Sequence, residues 1–336
     1  MRQYAARRIL FFIPVVLIVS IITFFGLNLI PGDPALTFLG GTIELHDLEA
    51  YHKAHGLEHQ ACLNKHDDGA LGKIGALDNC GRILVEKYFT WLGGMLHGDP
   101  GDSLLGGDIK SELKARFPVT LQILIFSFTF TMFFGLLFGA LSAIFQDTPL
   151  DYAVRIFSIF GLSIPSFFSL TLLLLIPAIL WSYSPPLRYV SLWENPGEFL
   201  QKVLPPTLIL GIEGSAGLMR LVRSALLEVL RQDYIRTARA KGLQERLVFL
   251  RHAFKNAMIP VLTIAGTLIA GLLGGSVILE QIMAFQGLGQ YTFRAVTQQD
   301  YNVVMTMVTY LATVVVTMNL VVDLLYAYVD PRIRYR

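Results

Sequence analysis

The sequence has little charge: Asp, Glu, Lys and Arg make up only 15% of its 336 residues. Soluble globular domains carry about a quarter charged residues. Because long windows of this chain contain no charge at all, its composition is typical of a membrane protein. The 27 basic and 25 acidic residues nearly balance, so the net charge gives no support for binding to nucleic acid.

The sequence also lacks the motifs that would give it catalytic chemistry of its own. It has no Gly-x-x-x-x-Gly-Lys-Ser/Thr phosphate loop, no His-Glu-x-x-His and no Gly-x-Ser-x-Gly. The stretch 69–73 comes nearest to a phosphate loop, but its spacing is wrong. We therefore expect that the chain is not an enzyme and binds no cofactor, and that an ion gradient or a partner protein supplies its energy.

Cysteine is scarce as well. The two residues present, Cys62 and Cys80, lie in the longest polar stretch, 31–117. In an oxidising exterior they can form a disulfide, which would contribute about 3 kcal/mol by constraining the unfolded chain. Two free thiols are the alternative. Three histidines within 52–59 have helical spacing, but no carboxylate or cysteine completes a ligand set, so we expect no metal site.

Six long apolar stretches are present instead. A helix needs about 20 apolar residues to cross the ~30 Å hydrocarbon core, where the backbone must satisfy its own hydrogen bonds. The first stretch is too long for the apolar part of a signal peptide, so we expect it to be a retained helix. Pro165 and Pro177 should kink or shorten the third. The six predicted spans of this all-α membrane protein are 9–30, 118–145, 156–187, 203–219, 256–279 and 301–328.

Basic residues indicate the orientation of these spans. Three arginines precede the first span and three follow the last, and nine basic residues lie within 220–255. The segment 280–300 contains one basic residue, Arg294. Since Lys and Arg in short loops favour the cytoplasmic side, we expect both termini and 220–255 to be cytoplasmic. The segments 31–117, 188–202 and 280–300 should then face outward.

The predicted spans contain two charged residues, Glu213 and Asp323. Glu213 in the fourth span could line a pathway, be bonded within the bundle, or lie near the membrane interface. Asp323 in the last span lies four residues from Asn319, which favours a structural hydrogen bond. Two glycine pairs spaced four apart, Gly135/Gly139 and Gly271/Gly275, are typical of close helix packing.

The cytoplasmic segment 224–254 carries the most specific pattern. Apolar residues recur at helical spacing along 224–242, and Gly242 after Lys241 is a helix-ending signal, with basic residues in the last turn. A second short helix, 244–254, should follow directly. The sequence thus predicts a basic, amphipathic helix–turn–helix that exposes Ala238, Ala240 and Gly242 and docks in a groove of another protein.

The sequence of this turn resembles the coupling loop of type I ABC importer permeases. The matching run is Asp-Tyr-Ile-Arg-Thr-Ala-Arg-Ala-Lys-Gly at 233–242, followed by His-Ala-Phe-Lys-Asn-Ala at 252–257 and by Pro260. It is similar to the variant of dipeptide and oligopeptide permeases of the B type. The broader superfamily has Glu-Ala-Ala before the glycine, where this chain has Arg236-Thr237-Ala238.

Further similarities run along nearly the whole chain. They comprise 31–34, 88–92, 98–103, Ser163–Phe167, Glu280 with 287–289, 300–301, 319–326 and 330–334. Residues 60–82, which hold both cysteines, look like an insertion relative to the family.

The resemblance implies a fold, partners and a mechanism. Coupling helices of this family dock on ATPase subunits, whose ATP-driven closure rocks the membrane helices between inward and outward access. Carried over residue by residue, the coupling contacts would be Arg236, Thr237, Ala238, Arg239, Ala240, Lys241, Gly242, Leu243, His252 and Asn256. Glu213, Ser163 and Pro165 are candidate pathway residues.

The implied assembly is a complex in a bacterial or archaeal plasma membrane. It would contain a second homologous permease, two ATPase subunits that bind ATP and Mg²⁺, and an external solute-binding protein. We expect an N-terminal part, 1–117, with one span and an external segment, and a five-helix permease core, 118–336. Similar permeases serve dipeptides, oligopeptides, nickel or sugars, and the motif variant favours peptides.

Two other functions remain as alternatives at this point. A secondary carrier should show inverted repeats, but the polar coupling segment occurs once and off-centre. A membrane-embedded enzyme would need a nucleophile–base pair or a metal set, and the sequence contains no obvious one.

Overall fold

A computed structural model describes residues 2–28, 74–186 and 188–329. The described residues are nearly all helical, and the isolated bridge between Asp102 and Asp108 is the one β-type pairing among them. The helices are α1 (Arg2–Asn28), α2 (Ile74–His97), α3 (Ile109–Ile144), α4 (Pro149–Ser163), α5 (Ser166–Trp181), α6 (Pro196–Leu230), α7 (Asp233–Ala240), α8 (Lys255–Ile282), α9 (Leu288–Thr297) and α10 (Tyr301–Val329). The short helix Glu245–Leu247 and the π-helical segment Val248–Phe254 lead directly into α8. The predicted all-α class is confirmed.

Four helices in the described part of the chain are long and apolar enough to cross a membrane. They are Arg7–Asn28, Ile109–Ile144, Glu245–Ile282 and Tyr301–Leu324. The bent pair α4–α5 makes a fifth if it counts as one span. The predicted segment 203–219 lies inside the 35-residue helix α6, which is not among them. The six-span count therefore stays a prediction.

The predicted third span, 156–187, is not one straight helix. It is divided between α4 and α5, which meet at an angle of 98°. Ile164 is extended, with φ −102° and ψ 118°, because the residue before a proline avoids helical angles. Pro177 lies inside α5, which continues to Trp181. Of the two prolines, Pro165 therefore produces the bend.

The described chain forms two compact units. Unit 1 comprises described residues within 1–9, 118–290 and 317–336, and unit 2 those within 10–117 and 291–316. In unit 1, α6 packs against α4, α5 and α8. Its 14 buried residues include Leu218, Val222 and Leu226.

Glycines bring α3 close to α6 in unit 1. A Cβ added at Gly135 would lie 2.5 Å from the Leu218 side chain, and one at Gly139 would lie 2.8 Å from Val222 Cβ. The predicted packing role of this glycine pair is confirmed. In the second pair, a Cβ at Gly275 would meet the side chain of Leu210 at 2.9 Å, whereas Gly271 faces open space. Only one glycine of that pair permits close packing.

Unit 2 has an aromatic core. Phe24 of α1 packs on Tyr88 of α2 with ring centroids 5.4 Å apart, and Met305 of α10 joins the same cluster. The Ser20 and Tyr88 hydroxyls share a hydrogen bond of 2.9 Å, which satisfies two polar groups in this apolar setting. These contacts fix α1 and α2 against α10.

Candidate functional site

Helix α7 presents one buried face and one basic face. Ile235 is 0% exposed and Ala238 is 7% exposed, and both belong to a cluster with Val248 and Ala253. Arg236, like Thr237, Arg239, Ala240 and Lys241, is exposed. The predicted exposure of Ala238 is wrong, because its face of the helix packs inward. Ala240 and Gly242 are exposed as predicted.

A glycine ends α7 as the sequence predicts. Gly242 has φ +76°, a conformation that costs a residue with a Cβ about 1–2 kcal/mol. Its N–H donates to Arg239 O at 2.9 Å, and the Leu243 N–H donates to Ala238 O at 3.4 Å. These two bonds form a Schellman motif, which caps the last carbonyls of the helix. The position of the turn is therefore set by local chain chemistry.

An ion pair spans this turn. Arg239 Nε and Nη2 donate to the two carboxylate oxygens of Glu245 at 2.8 and 3.3 Å. The side chains are 44% and 69% exposed, respectively. Arg236 lies 3.5 Å from the Asp233 carboxylate on the same helix. Exposed carboxylates thus partly neutralise the positive charge of the turn. Because water competes for the same charged groups, these ion pairs are weak.

The predicted helix 224–242 is divided in two. α6 continues to Leu230, and Gln232, which is extended at ψ 149°, precedes α7. The leucines that gave the segment its helical periodicity therefore belong to the end of α6. The prediction was wrong because periodicity alone does not distinguish one long helix from two helices joined by a two-residue turn.

The predicted second helix, 244–254, is not separate either. It runs through the π-helical segment Val248–Phe254 into α8 without a break. Asn256 Nδ2 donates to His252 O at 2.6 Å and to the Tyr234 hydroxyl at 3.3 Å. Asn256 therefore links the start of α8 to α7, and His252 serves as its backbone acceptor.

The pathway candidates lie in two different places. Glu213 is half-buried in α6 and has no hydrogen bond or ion pair among the described residues. Ser163 and Pro165 are exposed at the α4–α5 bend, where the Ser163 hydroxyl donates to Ile159 O at 2.8 Å. Of the three, Glu213 is the one with an ionisable side chain.

Asp323 has a structural contact of a different kind from the one predicted. Its carboxylate lies 2.8 Å from Arg8 Nη1, and the two side chains are 32% and 46% exposed. Asn319 instead lies against Gly266, where an added Cβ would overlap its side chain. A pair 315 residues apart in sequence has no local signal that could predict it.

Sequence reasoning missed a buried ion pair between α4 and α6. The Asp151 side chain is 0% exposed and accepts from Arg223 Nε and Nη2, both at 2.8 Å. Ser142 Oγ donates to it at 2.5 Å and the Asp147 N–H at 3.0 Å. Arg223 had been counted only as one of several cytoplasmic basic residues, because sequence spacing cannot pair it with a carboxylate 72 positions away.

A second buried carboxylate holds the turn between α8 and α9. Glu280 is 0% exposed and accepts from Thr120 Oγ1 at 2.8 Å and from the Gln290 N–H at 3.0 Å. A Cβ at Gly287 or at Gly289 would crowd the Glu280 carboxylate, so glycine lets this turn approach it. The turn and the carboxylate thus depend on each other for their positions.

In unit 2, Asp300 joins two segments that the resemblance had singled out separately. Ser103 Oγ donates to Asp300 Oδ2 at 2.5 Å, and Leu104 N–H donates to Oδ1 at 3.3 Å. Asp300 also accepts from the Val303 N–H at 3.2 Å, which caps α10. Burial, followed by the nearby Asp300 charge, raises the pKa of Tyr291 to about 12, so its hydroxyl stays neutral at physiological pH.

The other predicted sites lie mostly outside the described part of the chain. The side chains of Cys62, Cys80 and the histidines within 52–59 fall outside it, and so do those of the predicted insertion 60–82 apart from Gly81 and Arg82. Among the side chains that are described, no group of three His, Cys, Asp or Glu could hold a metal ion.

Comparison with known proteins identifies relatives over the full length. The family described as "Binding-protein-dependent transport system inner membrane component" matches residues 135–335. The oligopeptide transport system permease protein AppB of Bacillus subtilis is 35% identical over 100% of both chains. The di/tripeptide permease protein DppB of Pseudomonas aeruginosa is 33% identical, and the dipeptide permease protein DppB of Escherichia coli is 31% identical, each over 100% of both chains.

One solved structure supports the fold. A chain from an inward-facing methionine ABC transporter superposes with a TM-score of 0.51 at 19% sequence identity. The match covers 65% of this chain and 96% of that one. The two chains thus share a helical fold. With the family match and the full-length relatives, this chain belongs to the family of inner membrane components of binding-protein-dependent transport systems.

Proposed function

We propose that this chain is the permease subunit of an ATP-driven peptide importer. Movement of the ATPase subunits would reach the membrane helices of this chain through α7 and the turn after it. The relatives with full-length matches are permease proteins of peptide transport systems. The observation that carries the coupling role is the basic, exposed face of α7 on a rigidly capped turn. A capped helix end keeps its conformation when a docked partner moves, so the movement is passed on to the rest of the chain.

The docking surface consists of the exposed residues around the cap. Arg236, Ala240 and Lys241 present charge and small side chains to solvent, whereas Ala238 supports them from below. Thr237, Arg239, Gly242 and Leu243 complete the surface, and His252 and Asn256 position it from α8. Partner subunits, not this chain, would bind ATP and Mg²⁺.

The distribution of charge and one contact support a cytoplasmic location for both termini. The basic residues near both termini and within 220–255 favour a cytoplasmic location. The Arg8–Asp323 pair supports placing the start of α1 and the end of α10 on the same side of the membrane. With α6 counted as a span, the chain crosses six times, and 118–336 forms the permease core after an N-terminal part, 1–117.

The pathway would pass α6 and the α4–α5 bend. Glu213 has no partner among the described residues, so its carboxylate is available to the ammonium group of a passing peptide. Ser163 and Pro165 are exposed at the bend between α4 and α5. A second, homologous permease would provide the other wall.

Affinity purification of the tagged chain in mild detergent, followed by mass spectrometry, tests the assembly. We expect phosphate-loop ATPases and a second permease to remain bound. A photo-crosslinker at Lys241 should capture an ATPase subunit, while the same group at Arg82, an exposed residue of α2, should not. A chain that purifies alone and moves solute in liposomes without ATP would instead be a secondary carrier.

A further inference from the structure

The Asp151 carboxylate joins three separate segments of unit 1. Its donors are Ser142 at the end of α3, Asp147 in the α3–α4 turn, and Arg223 near the end of α6. Asp151 itself lies in the first turn of α4. One fully buried carboxylate thus holds the ends of three helices.

Apolar neighbours of the same segments share a buried cluster with α7. Ala143 follows Ser142 and Val222 precedes Arg223 in sequence, and both belong to the buried cluster that contains Ile235 and Ala238 of α7. At Gly139 the two long helices approach closely, since an added Cβ would lie 2.9 Å from Met219 O. The residues that flank the ion pair and the buried face of α7 therefore belong to one apolar cluster.

We propose that Asp151 and Arg223 are positioning residues that make the α3–α4 turn move together with α7. A push on α7 then reaches α4 as well as α6. This inference rests on the coupling role proposed for α7. It adds a second route, through the Asp151–Arg223 pair to α4, by which movement of the ATPase subunits reaches the membrane helices.

The chemistry of the pair suits this role. Apolar contacts tolerate sliding, whereas a bidentate guanidinium–carboxylate pair fixes both distance and orientation. The Asp151 side chain is fully buried and that of Arg223 is 19% exposed, so little water competes for the pair. The Arg155 guanidinium, at 3.6 Å from Asp151, comes from α4 itself and therefore does not join α4 to another helix.

The first test measures peptide transported per ATP hydrolysed by the complete transporter in proteoliposomes, at equal amounts of assembled complex. We expect Arg223→Gln and Asp151→Asn to lower this ratio about fivefold or more, while ATP hydrolysis continues. Arg223→Lys, which keeps the charge but loses the fork, should lower it less. Arg155→Gln is the matched control and should keep the wild-type ratio.

A second test begins with the two residues intact, so its first measurement does not depend on how a variant folds. Spin labels carried by noncanonical amino acids at Gln146 and Thr237 report the distance between the α3–α4 turn and α7. In the otherwise wild-type transporter we expect the same distance with and without ATP. In the Arg223→Gln variant the distance should differ between the two states.

Each other outcome contradicts the inference in a recognisable way. A distance that changes with ATP in the presence of both Asp151 and Arg223, or one that stays constant after Arg223→Gln, shows that the pair does not link these segments. An unchanged transport ratio in Arg223→Gln and Asp151→Asn overturns the positioning role but leaves the proposed function intact. A wild-type complex whose uptake does not depend on ATP overturns both.

Discussion

Two arginine–carboxylate pairs in unit 1 share one geometry and differ in their surroundings. Arg223 binds Asp151 through two bonds of 2.8 Å, and Arg239 binds Glu245 through bonds of 2.8 and 3.3 Å. The Asp151 side chain is fully buried, whereas the Glu245 side chain is 69% exposed. Breaking a buried pair costs about 3–5 kcal/mol, while an exposed pair contributes about 0–1 kcal/mol.

The difference separates a pair that fixes helix ends from an exposed pair whose side chains can change partners. The buried pair cannot exchange partners without leaving a charge unsolvated, so it fixes the helix ends around it. The exposed pair can open at little cost, which leaves Arg239 free to bind a carboxylate of a docking protein. Identical chemistry thus fixes helix ends in one place and, in the other, leaves a side chain available for the docking we propose.

The largest expected effect is that of Arg223→Ala. It leaves the Asp151 carboxylate buried without its main partner and should lower the free energy of unfolding by about 3–5 kcal/mol. Thermal or denaturant unfolding in detergent measures the loss. Arg155→Ala is the control and should cost much less; equal losses in both variants would mean that α4 is held by something other than the α6 contact.

Gly139→Ala tests the packing beside the buried pair. The new methyl group would overlap Val222 Cβ and Met219 O, and a backbone oxygen does not move cheaply. We expect a loss of about 1–3 kcal/mol from overpacking. Gly217→Ala in α6 faces open space and should keep or raise stability, by up to about 1 kcal/mol. If Gly139→Ala is neutral, the α3–α6 contact is looser than these distances imply.

Gly242→Val tests the exposed turn. No atom lies within 4 Å of an added Cβ, so the cost arises from the positive φ and amounts to about 1–2 kcal/mol, confined to the end of α7. Uptake should uncouple from ATP hydrolysis while the bundle stays folded. Gly242→Asn tolerates this backbone and should retain more coupling. Normal uptake by the valine variant would show that the coupling surface lies elsewhere.

Arg239→Gln should have the smallest effect on stability. We expect a loss of at most about 1 kcal/mol, and a smaller one at high salt, because the pair is exposed and screened. The unfolding midpoint measured at two ionic strengths checks this. A loss comparable to that of Arg223→Ala would remove the distinction between the two pairs.

The parts of the fold that local sequence determines were predicted. Long charge-free runs identify α1, α3, α8 and α10, and a glycine after a basic helical turn predicts the cap at Gly242. These features depend on residues a few positions apart, so the sequence carries their signal directly.

The parts that depend on tertiary packing were not predicted. The Asp151–Arg223 pair joins residues 72 positions apart, and Arg8 joins Asp323 across almost the whole chain. Ala238 is buried because α7 packs into the core cluster, and the extended residue Gln232 separates α7 from α6. Neither periodicity nor composition records such tertiary packing.

The most direct test of the central claim is uptake of a labelled peptide by proteoliposomes that contain the complete transporter and its binding protein. We predict uptake that requires ATP inside, on the ATPase side, and the binding protein outside, and that persists when ion gradients are collapsed. Uptake that continues without ATP and stops when an ion gradient is collapsed would contradict the claim that this chain works as an ATP-coupled importer permease.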